Sequence, residues 1–408
     1  MSDQRAIPSI DKLLQSPIAI AWTDKFGRGL VTDVLRTAAD EIRSGKLTSV
    51  GSKTELILQI AENNLSLITE SSLRKVINAT GVVLHTNLGP APIGAAGIES
   101  IRSVSSGYSS LEFDLDTGKR GSRESSLVKI FQQITGAESV HICNNNAAAV
   151  LLTLTALARR KPVIIARSQL VEIGGGFRIP EVMKQSGAKL IEVGATNRVH
   201  LADYADALKE HPNAIVMHAH PSNFRVIGFT EEPGIEEVAN LAHQHETLLI
   251  DDLGSGTLID TANYGLAHEP TVLESLAAGS DIVCFSGDKL FGGPQAGIIL
   301  GSKPLIQKIA KHQLARALRV DKLNLNLLFH TALAYAKGAH EQEIPIWSMI
   351  SQPAEVIKKR AEAWREELGI GEVVPGESAI GGGSLPGETM PTWNLLIPHP
   401  KPQKLLDR

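Results

Sequence analysis

The stretch that decides the fold is FSGDKLFGGPQAG, Phe285 to Gly297. An apolar strand, DIVCFS (281–286), runs into Ser-Gly-Asp-Lys, and two glycines and a proline then force a tight loop before the next apolar run, AGIIL (296–300). A lysine at a strand end is ordinarily a solvated cap. Lys289 instead has apolar and glycine neighbours that strip its amine of water, favour the neutral nucleophilic form and suit it to Schiff-base chemistry.

Working upstream, further short apolar runs read as strands: VHIC (140–143), VIIA (163–166), KLIEV (189–193), AIVMHAH (214–220) and TLLIDDL (247–253). Amphipathic helical segments fit most of the intervals. Near-continuous apolar strands separated by helices predict an α/β core, a mostly parallel seven-stranded sheet with helices on both faces.

A lysine of this kind points to pyridoxal 5′-phosphate (PLP), which needs a covalent anchor, a carboxylate at the ring nitrogen and a phosphate cradle. The strand ending in Asp251-Asp252 offers the carboxylate. Adjacent strand residues face opposite ways, so one of the two meets the ring. Cys143-Asn144-Asn145-Asn146-Ala147 passes from a strand into a small-residue helix, whose free N–H groups can hold a phosphate. Ser286 and Gly287 add contacts. A third signal is GSKPLIQKIAKHQLARALRVDK (301–322), with six Lys or Arg against one acid; Lys308, Lys311, Arg316 and Arg319 recur at helical spacing and suit an anion beside the cofactor.

Other chemistries find less support. GxGxxG is absent after the first strand, and Gly174-Gly175-Gly176 lacks that spacing. His218 and His220 share a strand face without accompanying metal ligands, so no metal site is expected. The 408 residues carry 40 basic and 44 acidic side chains, a net charge of −4 that gives no global nucleic-acid footprint. Two cysteines, Cys143 and Cys284, lie in apolar runs and read as buried free thiols in a cytoplasmic setting. No apolar run approaches the roughly 20 residues that cross a bilayer.

From Ser9 to Leu73 the apolar residues Ile10, Leu13, Leu14, Val31, Val34, Leu35, Ala38, Leu56, Ile57, Ile60 and Leu67 recur near a helical period. The predicted organisation is a helical N-terminal domain over 1–73, a large domain over 74–320 and a small α+β domain over 321–408. The final stretch, VVPGESAIGGGSLPGETMPTWNLLIPHPKPQKLLDR, reads as loop-rich with little strand at its end.

The runs INATGVVLHTNLGPAPI (77–93), LEFDLDTGKRGSR (111–123), NNNAAAVLL (144–152), LVEIGGGFRIPEVM (170–183), VGATNR (193–198), DLGSGTLID (252–260) and SGDKLFGGPQAGIILG (286–301) together resemble the bacterial selenocysteine synthase family, L-seryl-tRNA(Sec) selenium transferases. The resemblance implies a PLP-dependent transferase of fold type I, with the cofactor on Lys289 and the ring nitrogen on Asp252. It implies that Asp288 assists the chemistry and that Arg316 and Arg319 bind the donor, selenophosphate. It further implies that residues 1–73 bind seryl-tRNA(Sec), and that dimers form a homo-oligomer, a ring-shaped decamer with active sites between subunits. Two departures stand out. Pro90 occupies the place where the family has arginine after Asn-Leu-Gly, and the chain stops before the segment expected to complete the small domain. Competing expectations are a PLP-dependent β-eliminase or ammonia lyase acting on a small amino acid or amino-sugar acid, and a catalytically impaired tRNA-binding paralogue.

Overall fold

The computed structural model describes residues 7–44, 52–173 and 176–403. Gly174 and Gly175 of the glycine run lie outside them. The chain divides into two compact units, 1–77 and 78–408.

The first unit is helical. Helices span Ile10–Leu14, Pro17–Phe26, Arg28–Arg43 and Lys53–Thr69. Ser9 and Ser16 cap the first two through their hydroxyls, and Pro17 sits at a first-turn position where no N–H is required. Gly27, at φ +85°, makes the sharp junction into the third helix. Leu13, Trp22, Val31, Val34, Leu35, Ile57 and Leu65 form one buried cluster. Leu67, grouped by periodicity with the apolar face, is instead 81% exposed near the end of the last helix.

In the second unit the strands that matter are β1 (Val82–Leu84), β2 (Ser139–Cys143), β3 (Pro162–Ala166), β4 (Lys189–Val193), β5 (Ile215–Ala219), β6 (Leu249–Gly254), β7 (Ile282–Ser286), β8 (Gly297–Gly301), β9 (Glu372–Gly381) and β10 (Ser384–Leu396). The seven expected strands pair in the order β2-β8-β7-β6-β5-β3-β4. All contacts are parallel except those of β8, which runs antiparallel to both β7 and β2. That reversal follows from the short lysine loop, since the ten residues between β7 and β8 are too few for the crossover a parallel return requires. One sheet face packs on Leu152, Met183, Ile306 and Ile309, and the other on two clusters containing Phe131, Phe285 and Leu328 and containing Tyr204, Leu208 and Val238.

The C-terminal stretch is a correction. Where little strand was expected, β9 and β10 form a long antiparallel hairpin, and β1, nearly 300 residues upstream, joins β9 in parallel. Gly382 and Gly383, at φ +66° and +69°, supply the two positive-φ positions of a tight hairpin turn. Pro386 and Pro391 are tolerated because β10 is the edge strand of this small sheet. Proline and glycine content therefore disguised real strands as loop. The basic stretch after β8 also differs from a single helix: it breaks into Lys303–Ala310 and Gln313–Ala317, with Arg319 beyond both, in a bridge to Cys143.

Candidate functional site

The lysine loop is fixed by its own backbone. Gly287 N–H donates to Ala296 O at 2.8 Å, Gly293 N–H to Gly287 O at 2.7 Å, and Leu290 N–H to Ser255 O at 3.0 Å. At Gly292, φ +74°, a Cβ would stand 2.4 Å from Ile344 Cγ2, so only glycine fits. The loop presents Lys289 half-buried at the carboxyl end of the sheet, the edge where α/β folds bind ligands. Burial pushes the Lys289 amine below its ordinary range, and the charges of Asp252, Asp288 and Glu269 oppose it. Burial likewise raises the Asp288 carboxyl.

Strand β6 is buried along its whole length, and its pleat separates the two acids. Asp252 accepts a hydrogen bond from Asn146 Nδ2 at 2.7 Å across 106 residues of sequence. Burial pushes its carboxyl up to about 6, while the Asn146 bond and the Lys289 charge hold it lower than burial alone would. Asp251 faces the other way, with His218 Nδ1 at 2.7 Å and Ser275 Oγ as its second partner. Burial alone would lower His218, but the Asp251 carboxylate outweighs it and leaves the imidazole raised. Asp251 is thus consumed by an internal pair, and Asp252 alone faces the helix Asn146–Leu157.

That helix starts at the asparagine run, and its residues divide their roles in a way the sequence conceals. Asn145 is the N-cap, its side chain accepting from Ala148 N–H at 2.8 Å, and Asn146 serves Asp252. Asn144 is tied by its own N–H to Leu318 O at 3.0 Å. A Cβ at Gly297 would lie 2.1 Å from Asn145 O, so β8 and the cap approach as closely as glycine allows. Ser286, at the end of β7, is buried, and Ser255 Oγ and Asn146 Oδ1 are buried without a hydrogen-bond partner among the described residues. An anchoring amine, a carboxylate, a helix N-terminus and two unsatisfied polar atoms fit PLP as residues present.

Arg316 and Arg319 line a separate cavity of about 390 Å³ with Arg120, Arg123 and His141. Lys289, Asp288 and Asp252 are not among its lining residues. It adjoins the cradle, since Arg319 bridges Cys143. Glu112 sits within it, 3.3 Å from Arg319 Nη1 and 2.6 Å from Arg120 Nη2. Pro90 lies nearer the lysine: the next residue, Ala91, donates its N–H to Asp288 O at 3.1 Å.

Sequence reasoning missed the hairpin tip. A Cβ on Gly383 would lie 3.5 Å from Lys289 Nζ, and one on Gly254 would lie 3.3 Å from Ser222 Oγ and 3.9 Å from the amine. Ser384, the first residue of β10, is buried, and its hydroxyl has no hydrogen-bond partner among the described residues. Three consecutive glycines at 381–383 were the available signal.

Residues 76–407 match the family model described as L-seryl-tRNA selenium transferase, and residues 5–43 match the one described as selenocysteine synthase N terminal. An L-seryl-tRNA(Sec) selenium transferase of Carboxydothermus hydrogenoformans is 42% identical over 406 residues, covering 97% of this chain and 87% of the relative. One of Clostridium botulinum (strain Loch Maree / Type A3) is 44% identical over 402 residues, covering 96% and 87%. Among solved structures, a D-glucosaminate-6-phosphate ammonia-lyase superposes with a TM-score of 0.57 at 20% identity, covering 82% of this chain and 81% of that one, a likeness of fold.

Proposed function

The chain belongs to the L-seryl-tRNA selenium transferase family, and from that premise we propose how its own residues divide the work. The reaction is conversion of seryl-tRNA(Sec) to selenocysteinyl-tRNA(Sec), with pyridoxal 5′-phosphate as cofactor. Lys289 anchors the cofactor, Asp252 holds its ring nitrogen, and the N-terminus of the helix Asn146–Leu157, with Asn144, Asn145, Ser286 and Ser255, receives its phosphate. Bound there, the cofactor supplies an electron sink that makes the serine α-C–H acidic and lets the β-substituent depart.

The rest falls to side chains. Lys289 Nζ, biased toward the neutral amine by burial, takes the α-proton. Asp288, biased toward the protonated acid by burial, gives a proton to the leaving β-hydroxyl oxygen. Asn146 keeps Asp252 aimed and partly ionised where burial alone would neutralise it. Arg316 and Arg319 hold the selenium donor, selenophosphate, as an oxyanion, displacing Glu112 from the Arg319 guanidinium. The helices of residues 1–73 bind the tRNA, in the cytoplasm, and the working form is a homo-oligomer that brings the arginine cavity of one subunit toward a neighbouring lysine.

The observation that carries the reading is the placement of Lys289, in the loop that follows β7, beside Asp252 on the adjacent strand β6, with Asn146 holding Asp252 from the helix Asn146–Leu157. The test compares substrates with cofactor-loaded protein. Seryl-tRNA(Sec) should be consumed, with the β-carbon modified while the residue stays on tRNA. Release of pyruvate or ammonia from free amino acids or amino-sugar acids, with seryl-tRNA(Sec) untouched, would replace this reading with the lyase.

A further inference from the structure

The space around Lys289 continues away from the lysine loop. Gly383, which stands beside its amine, and Ser222, which like that amine lies close to Gly254, also line a cavity of about 210 Å³. Leu385, Pro386 and Glu388 line both this cavity and a larger one of about 500 Å³. The larger cavity lies in the size range of small-molecule sites. Phe224, Pro270 and Leu385 give it apolar walls, and Ser168 and Glu269 also line it, with Ser168 Oγ and Glu269 Oε1 buried just behind its surface without a hydrogen-bond partner among the described residues.

Glu269 is the telling residue. It is 3% exposed, and His220 Nε2 stands 3.5 Å from Oε1 without making a hydrogen bond. Its charge is felt at Lys289. A carboxylate oxygen buried without a donor is costly, and native proteins leave few such groups unless a ligand satisfies them. An ionised carboxylate only accepts, so the missing partner is a donor. Glu231, Glu232 and Glu388 on the same walls disfavour a phosphate or a second carboxylate there.

The geometry points to a nucleoside subsite: the 500 Å³ cavity receives the terminal adenosine of the aminoacylated acceptor end, and a ribose hydroxyl donates to Glu269 Oε1. This rests on seryl-tRNA as the substrate. The ester joins serine directly to that ribose, so once the serine α-carbon reaches Lys289 the nucleoside must occupy the adjoining space. Carboxylate-to-ribose hydrogen bonding is a proven way to fix a nucleoside, and the apolar walls suit the faces of a purine.

The test uses cofactor-loaded holoenzyme and two probes, 3′-serylamino-3′-deoxyadenosine and the same compound lacking the 2′-hydroxyl, as inhibitors of seryl-tRNA turnover. The intact probe should compete with seryl-tRNA, and loss of the 2′-hydroxyl should weaken it about tenfold. In Glu269→Leu the two probes should inhibit equally. Thr196→Trp, at the exposed rim of the cavity, should raise KM for seryl-tRNA about tenfold with kcat unchanged, and it decides the matter if Glu269→Leu fails to load cofactor. Equal inhibition by both probes in the wild-type enzyme, or an unchanged KM in Thr196→Trp, overturns the subsite. Wild-type turnover of seryl-tRNA in the same assay separates that failure from failure of the reaction.

Discussion

Replacing Asp252 by Asn should separate two effects that the working enzyme combines. In the cofactor-free protein burial raises the carboxyl from 3.8 to about 6, so ionisation is harder inside the fold than in the unfolded chain. By proton linkage, a group raised in this way contributes fully below about pH 4, and that contribution is lost as pH climbs through about 6. At roughly 1.4 kcal/mol for each tenfold change in proton affinity, the loss approaches about 3 kcal/mol by pH 8. An amide avoids ionisation, keeps an acceptor for Asn146 Nδ2, and offers an N–H to Asn146 Oδ1, which is buried without a partner among the described residues. It also forgoes attraction to Lys289, which trims the gain. Cofactor-stripped Asp252→Asn should therefore be more stable than wild type by about 2 kcal/mol at pH 8, and the gain should shrink toward zero near pH 4. Urea unfolding across pH 4.5 to 8.5, followed by tryptophan fluorescence, measures it. The same variant, loaded with cofactor, should lose turnover by about 100-fold or more, because nothing then keeps the ring nitrogen protonated. A stability gain that is absent at pH 8, or equal at pH 5 and pH 8, refutes the reasoning.

Asn146→Ala should push Asp252 further above 6 and weaken cofactor binding, read as a lower-affinity titration of the bound-cofactor absorption band that is most evident at acid pH. Gly383→Val places a side chain at φ +69° and 3.5 Å from Lys289 Nζ. The strain alone costs about 1–2 kcal/mol, and the fraction of cofactor trapped on Lys289 by borohydride should fall with it. Pro90→Arg, beside the backbone that Ala91 ties to Asp288, should lower KM for selenophosphate without changing KM for seryl-tRNA, and steady-state kinetics with each substrate varied will show it.

Much of this molecule is legible in its sequence, for reasons that differ along the chain. The seven central strands announce themselves because a sheet covered on both faces needs apolar residues at every position, and VIIA (163–166) or DIVCFS (281–286) can hardly be anything else. Lys289 is legible because its glycines are local to it. The C-terminal hairpin is not, since Pro386 and Pro391 are forbidden in a central strand and permitted on an edge, and edge position is a property of the assembled sheet. The different surroundings of Asp251 and Asp252 are hidden in sequence for a similar reason: His218 and Ser275 meet the first and Asn146 the second, and all three are distant in sequence. Arg316 and Arg319 fall at helical spacing with Lys308 and Lys311, but the break before Gln313 makes them walls of a pocket whose other wall, Arg120 and Arg123, comes from nearly 200 residues earlier.

The most direct test of the account is transfer of selenium itself. Cofactor-loaded protein is incubated with seryl-tRNA(Sec) and selenium-75-labelled selenophosphate, and the aminoacyl group is released from tRNA and identified. The wild-type chain should yield labelled selenocysteine on tRNA, and Lys289→Ala should yield none. Unmodified serine on tRNA with the wild-type chain, or equal labelling with Lys289→Ala, would contradict it.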